Sequence, residues 1–163
     1  MTTITVKDNI MCGDGLTTID DMVVWTNTVK IAEVQGYLLG VSGRAASLVS
    51  FKQWFTDKVL ADKVQEANPD VIIEQPEDLA DEDFNGLVLT PDKKLLLFEG
   101  GGVVLEIEQP YAIGSGMPYA LAAMKAGVSA EKSLQVAMEM DVYSGGDVTK
   151  LVLPGTEDEV EVK

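Results

Sequence analysis

The sequence predicts an α+β fold with antiparallel sheets and helices on the outer faces. Three observations point to it. Short strand-like runs separated by turn signals fill the first forty residues and return at Gly86 to Ile107. A helical apolar spacing starts at Arg44, and two helical segments after Gly116 precede one last strand. Strands and helices gathered into separate runs, rather than alternating, imply antiparallel sheets with helices laid on them. At 163 residues, 46% of them hydrophobic, the chain suits one domain with a sizeable core, assigned to 1–153, followed by an acidic tail, 154–163.

The elements follow in order. Ile4 and Val6 alternate with polar neighbours, and Asp8-Asn9 mark a turn. Ile10-Met11-Cys12 form a strand ending at the tight Gly13-Asp14-Gly15 turn, with Cys12 as a small buried hydrophobe. Met22 to Trp25 and Thr28 to Val34 are expected to pair with each other, and Tyr37 to Val41 to be a buried strand. Leu48, Phe51, Phe55 and Val59 recur at three and four residues, so a helix with one apolar face is expected from Arg44 to about Glu66. Residues 66–83 hold eight acids and no base, with Pro69 and Pro76, and are expected to be a solvated connector. Gly86 to Leu89 and Leu95 to Phe98 form a hairpin around Thr90-Pro91-Asp92. Gly100-Gly101-Gly102 turn into Val103 to Ile107, and no Gly-Lys-Ser/Thr follows to make a phosphate loop. Pro118 sits in the first turn of a helix from Met117 to Lys125, which Gly127 stops. Ser129 caps the next helix, which carries Leu134, Ala137, Met138 and Asp141 on one side, and Val148 to Leu153 is the final strand.

Composition narrows the chemistry. The net charge is −15, from 27 acidic and 12 basic residues, which disfavours nucleic acid and anionic membrane surfaces. No apolar run approaches the ~20 residues of a membrane span, and the start lacks the pattern of a signal peptide. One cysteine excludes an internal disulfide and fits a cytoplasmic protein. The absence of histidine excludes a Ser-His-Asp triad, a Cys-His dyad and the usual His-ligated zinc site. A hydrolase built from these residues needs an amine or a carboxylate as its base, and no cofactor or metal is called for.

Thr2, behind Met1, supplies such a base. Once Met1 is removed, the residue carries a hydroxyl nucleophile beside its own α-amine. A free α-amine titrates near ~7.7–8.0 and so accepts protons around neutrality. Four further motifs accompany it: Gly13-Asp14-Gly15, Lys30 in Thr28-Val29-Lys30-Ile31, Gly114-Ser115-Gly116, and Asp141-Val142-Tyr143-Ser144-Gly145-Gly146. Each alone reads as a turn, a surface lysine or a cap. Together with Val41-Ser42-Gly43 before the long helix, and in this order, they resemble the proteasome β-subunit and HslV peptidase family. The stretch Ala112 to Ala120 looks especially like the HslV branch.

That resemblance implies a four-layer αββα sandwich, the N-terminal-nucleophile hydrolase fold. It implies a threonine-type endopeptidase with Thr2 as nucleophile, Asp14 and Lys30 as the charged pair, and Ser115, Asp141 and Ser144 around the amine. It assigns Gly43 to the oxyanion and Thr17, Ala32, Val41 and Ala45 to substrate binding, a small apolar lining suited to apolar side chains on the acyl side. It also implies a homo-oligomeric ring, polypeptide substrates and an unfoldase ATPase partner. The family carries two long helices after the Gly43 position; here one is clear and 66–83 stands in place of the second. A particle of about half the usual double-ring mass is therefore expected. Two other readings stay open: a non-catalytic ring or virion structural homologue of the same fold, and an N-terminal-nucleophile amidase acting on a small amide.

Overall fold

The structure is a computed structural model that describes residues 1–60, apart from the Val59 side chain, with 79–80, 83–100 and 104–156. The strands are β1 (Thr3–Lys7), β2 (Ile10–Gly13), β3 (Thr17–Ile19), β4 (Met22–Trp25), β5 (Ile31–Val34) and β6 (Tyr37–Ser42). Helix α1 (Ser47–Trp54) runs into a π-helical turn, Phe55–Leu60. Then come β7 (Asn85–Leu89), β8 (Leu95–Glu99), β9 (Val104–Ile107), β10 (Tyr111–Gly114), α2 (Met117–Lys125), α3 (Ala130–Met140) and β11 (Thr149–Val152).

Two sheets stack face to face. One has four strands in the order β10-β1-β2-β11, the other five in the order β5-β6-β7-β8-β9, and β3-β4 form a separate hairpin. Every pairing is antiparallel. Ile4, Val6 and Met11 of the first sheet meet Ile31, Leu38, Leu87, Leu89, Leu95 and Leu97 of the second in a core between the sheets. A second core lies between the five-stranded sheet and α1, built on Phe51, Trp54, Phe55, Phe84 and Phe98. Their rings meet edge-on or tilted at 5.4–6.4 Å, the geometry that aromatic quadrupoles favour. A third core joins the four-stranded sheet to α2 and α3 through Cys12, Ala112, Ala120, Met124, Leu134 and Ala137. Helix, sheet, sheet, helix is the four-layer αββα order.

β1 is covered on both faces. Ile4 and Val6 point to the inter-sheet core, while Thr3 and Thr5, also wholly buried, lie on the helix side. Buried hydroxyls need partners, and these have them. Thr3 Oγ1 lies 2.6 Å from Ser144 Oγ, and Thr5 donates to the Ala130 carbonyl at 2.9 Å. Lys7 donates to the Met124 and Val128 carbonyls at 3.1 and 2.9 Å. It thus satisfies acceptors at the end of α2, where a cation also suits the helix dipole.

The structure departs from the expected elements in four places. Met22–Trp25 pairs with Thr17–Ile19, not with 28–34, and only Ile31–Val34 of that second run is strand, paired to β6. Thr17-Thr18-Ile19 is too short and too polar to show as a strand by itself. Tyr111–Gly114, expected only to lead into a helix, is a strand beside β1. Helix α1 begins at Ser47, since residues 44–46 form a turn in which the Ser47 N–H donates to the Arg44 carbonyl at 3.0 Å. The helical extension past Leu60, nearly all of the acidic stretch, Gly101-Gly102 and the tail beyond Thr156 lie outside the described residues.

Candidate active site

The site forms where β1 begins. Thr2 precedes β1 by one residue and is 5% exposed. β2 ends at Gly13, opposite Ile4, and this delivers Asp14 to the space beside Thr3. Asp14 is fully buried, and an unpaired carboxylate there would cost several kcal/mol. It is not unpaired. Its Oδ1 accepts from the Thr3 N–H and from Lys30 Nζ, each at 2.9 Å. Its Oδ2 accepts from the Leu16 and Gly145 N–H groups at 3.3 and 3.1 Å.

Lys30 reaches this carboxylate from the residue before β5, where its own carbonyl accepts from the Val41 N–H at 3.2 Å. Its ammonium has three protons, and three acceptors surround it: Asp14 Oδ1 at 2.9 Å, the Leu16 carbonyl at 2.6 Å and the Met1 carbonyl at 2.9 Å. Burial lowers its pKa from the ordinary lysine value, against the opposing charge and hydrogen bond of Asp14. The chain's amine, here on Met1, is also lowered from 8.0, first by burial and then by the nearby Lys30 charge.

Asp141 approaches from the other side, at the C-cap of α3. A carboxylate at a helix C-terminus opposes the dipole, so something else must hold it. Ser115 and Ser144 each donate to its Oδ2 at 2.6 Å, and the Tyr143 N–H donates to Oδ1 at 3.1 Å. Burial would raise its pKa, but these bonds, Ser115 first, and the chain's amine bring it below the usual value. Ser115 Oγ also lies 3.4 Å from the Thr2 carbonyl. Gly114, at φ +96°, makes that approach possible, because a Cβ there would lie 1.9 Å from the Thr2 oxygen.

A cleft of about 1080 Å³ opens over these groups. Thr2, Thr17, Lys30, Val41, Gly43, Ala45 and Ser115 all line it, so seven of the expected residues share one wall system. Gly43, at φ +128°, follows the end of β6 and precedes the turn into α1. Asp14, Asp141 and Ser144 sit behind the wall, holding groups that reach the cleft. Ala32 is half-buried on β5 opposite Leu39 and is not brought to the cleft. The residue that motif reading missed is Thr3, which holds Asp14 through its N–H and Ser144 through its hydroxyl. Its only sequence signal is a second threonine directly after Thr2.

No protein-family model matches the chain. Among curated proteins it is 28% identical over 159 residues to the ATP-dependent protease subunit HslV of Petrotoga mobilis, covering 88% of this chain and 90% of that one. It is 29% identical over 161 residues to the subunit of the same name from Pseudothermotoga lettingae, covering 86% and 88%. This chain is similar to HslV. Solved structures agree on the fold. Eukaryotic HslV from Trypanosoma brucei superposes with a TM-score of 0.67 at 21% identity, covering 93% of this chain and 98% of that one. Thiobacillus denitrificans BPH in complex with epoxomicin gives 0.66 at 22% identity, with the same coverage. The HslV-like chain therefore has the four-layer N-terminal-nucleophile hydrolase fold that the resemblance implied. No described helix is long and apolar enough to cross a membrane.

Proposed function

We propose that this HslV-like chain is a threonine-type peptidase that uses Thr2 as nucleophile once Met1 is removed. One observation carries the reading: the buried Asp14–Lys30 pair directs its remaining donor to the Met1 carbonyl oxygen, whose carbon is bonded to the Thr2 nitrogen. Removal of Met1 leaves an α-amine on Thr2 and frees that donor beside it. The Lys30 charge then favours the neutral amine and the developing alkoxide. The amine takes the Thr2 hydroxyl proton, directly or through a water, and Thr2 Oγ1 attacks the substrate carbonyl. The Gly43 N–H is the proposed donor to the resulting oxyanion. The ammonium returns its proton to the departing amine, leaving an ester on Thr2. Water, activated by the same amine, hydrolyses that ester and restores the hydroxyl. Ser115, anchored on Asp141, orients the amine, and Ser144 steadies Asp141.

The name of these relatives, ATP-dependent protease subunit, supports polypeptide substrates and an unfoldase ATPase partner, with the chain assembled in a homo-oligomeric ring. Thr17, Val41 and Ala45 form the proposed substrate wall. The test is the intact mass of the purified protein with and without a peptide epoxyketone. That reagent closes its ring only on a hydroxyl and a free amine of one residue, and a protein of similar structure is solved with epoxomicin. Loss of Met1 with one adduct, absent in Thr2→Ala, is the expected result. Retained Met1 with no adduct would point instead to a non-catalytic assembly protein.

A further inference from the structure

Thr3 takes no step in the proposed reaction, yet it is wholly buried and touches both carboxylate clusters. Counting protons around it gives a direction. Asp141 Oδ2 accepts from Ser115 and Ser144 at 2.6 Å each. A serine hydroxyl has one proton, so the Ser144 proton is committed to Asp141. Ser144 Oγ also lies 2.6 Å from Thr3 Oγ1. Thr3 must therefore be the donor in that pair. Thr3 packs tightly here: it has no exposure, and a Cβ on Gly116 would lie 2.1 Å from Thr3 Oγ1.

We infer that Thr3 is a positioning residue for the proposed reaction, whose hydroxyl orders the proton chain Thr3 to Ser144 to Asp141. The chain leaves Ser115 as the member of the network that faces Thr2. Hydrogen bonds in series strengthen one another, so the Thr3 donor makes Ser144 a better donor to Asp141. With Asp141 held in its charged form, the Ser115 proton stays directed at it, and the Ser115 lone pairs stay open to the amine. Among the described residues, the charged or titratable groups whose charge interacts with Asp141 are that amine, Lys30 and the Tyr143 phenol. None of them is changed by a substitution at Thr3.

This inference rests on the peptidase reading for its kinetic part only. Thr3→Val keeps the shape but puts a methyl against the Ser144 oxygen, while Thr3→Ser keeps the hydroxyl. The experiment follows the Asp141 carboxyl by carbon NMR on aspartate-labelled protein, with Asp141→Asn assigning the signal, beside kcat and KM for a fluorogenic peptide. In T3V the Asp141 midpoint should rise by about half a unit, as expected for one weakened bond to a charged group. Its kcat should fall roughly tenfold at unchanged KM, and T3S should match wild type in both. An unchanged midpoint in T3V, or an equal shift in T3S, would overturn the inference. A shifted midpoint in a wild-type-inactive protein would keep the proton chain and remove the peptidase reading. Should T3V not fold, Thr3→Cys, a weaker donor of similar volume, gives the same readout.

Discussion

Replacing Lys30 by methionine removes a buried charge while keeping the length and apolar stem of the side chain. Asp14, with no exposure, then stays as a carboxylate on three backbone N–H groups, those of Thr3, Leu16 and Gly145. Breaking a buried pair costs about 3–5 kcal/mol when the remaining charge is stranded. Three surviving donors place this case at the low end, about 3 kcal/mol. For a domain of this size each kcal/mol moves Tm by about 2–4 °C, so K30M should melt about 6–12 °C below wild type. Asp14→Asn presents an amide N–H₂ to either the ammonium or a backbone N–H, and should cost a similar amount. The double variant strands no charge, so the two losses should fall short of additive by about 1–3 kcal/mol. The assay is a denaturant-unfolding cycle on the four proteins near neutral pH. Additive losses would refute the coupling, and with it the argument that Asp14 exists to aim Lys30. Peptide turnover should vanish in K30M even where the protein is folded and Met1 is removed.

Gly114→Ala should lower stability by about 1–3 kcal/mol through overpacking and a left-handed backbone, and should abolish turnover, because the new Cβ displaces the Thr2 carbonyl; melting and peptide hydrolysis check both. Asp141 has a lowered folded pKa, so its stabilisation is present above the ordinary 3.8 and is lost as pH falls through the lower folded value. Melts taken downward from pH ~5 should show this loss in wild type and not in Asp141→Asn. The cleft carries Asp20, Asp21, Asp83 and Glu99. Peptides with an apolar acyl-side residue should therefore turn over several-fold faster with flanking lysines than with flanking glutamates. Added salt should narrow that difference.

Much of the fold was legible because periodicity and burial agreed. Phe51 and Phe55 lie on the expected helical face, and Leu87, Leu89, Leu95 and Leu97 turn the expected hairpin toward the core. Legibility ended where a strand's buried face is polar. Thr3 and Thr5 show only as polar neighbours of Ile4 and Val6, because alternation cannot distinguish water from a helix layer that supplies hydrogen-bond partners. The strand Tyr111–Gly114 was hidden by the helix-start signal that follows it. The exposed Ile19, Met22, Val23 and Trp25 form a hairpin whose pairing no local pattern identified. In the site, Asp14 and Lys30 are 16 residues apart, and nothing in that spacing reports a 2.9 Å contact. Only the resemblance joined them. Asp141 reads as part of one side of the second C-terminal helix, whereas it is that helix's C-cap, and nothing local marks it as the acceptor of two serine protons from 26 and 3 residues away.

The polar contacts along β1 act as a ruler. Thr3, Thr5 and Lys7 are anchored in turn on Ser144, the Ala130 carbonyl and the end of α2. Two-residue steps match two-residue steps, so the strand cannot slide by one without turning every anchor toward the apolar core. The distance from the last anchor back to the start of the chain is thereby fixed in residues, not merely in space. Insertions ahead of Thr2 would leave that frame intact. A single insertion or deletion between Thr2 and Lys7 would change which residue arrives at Lys30.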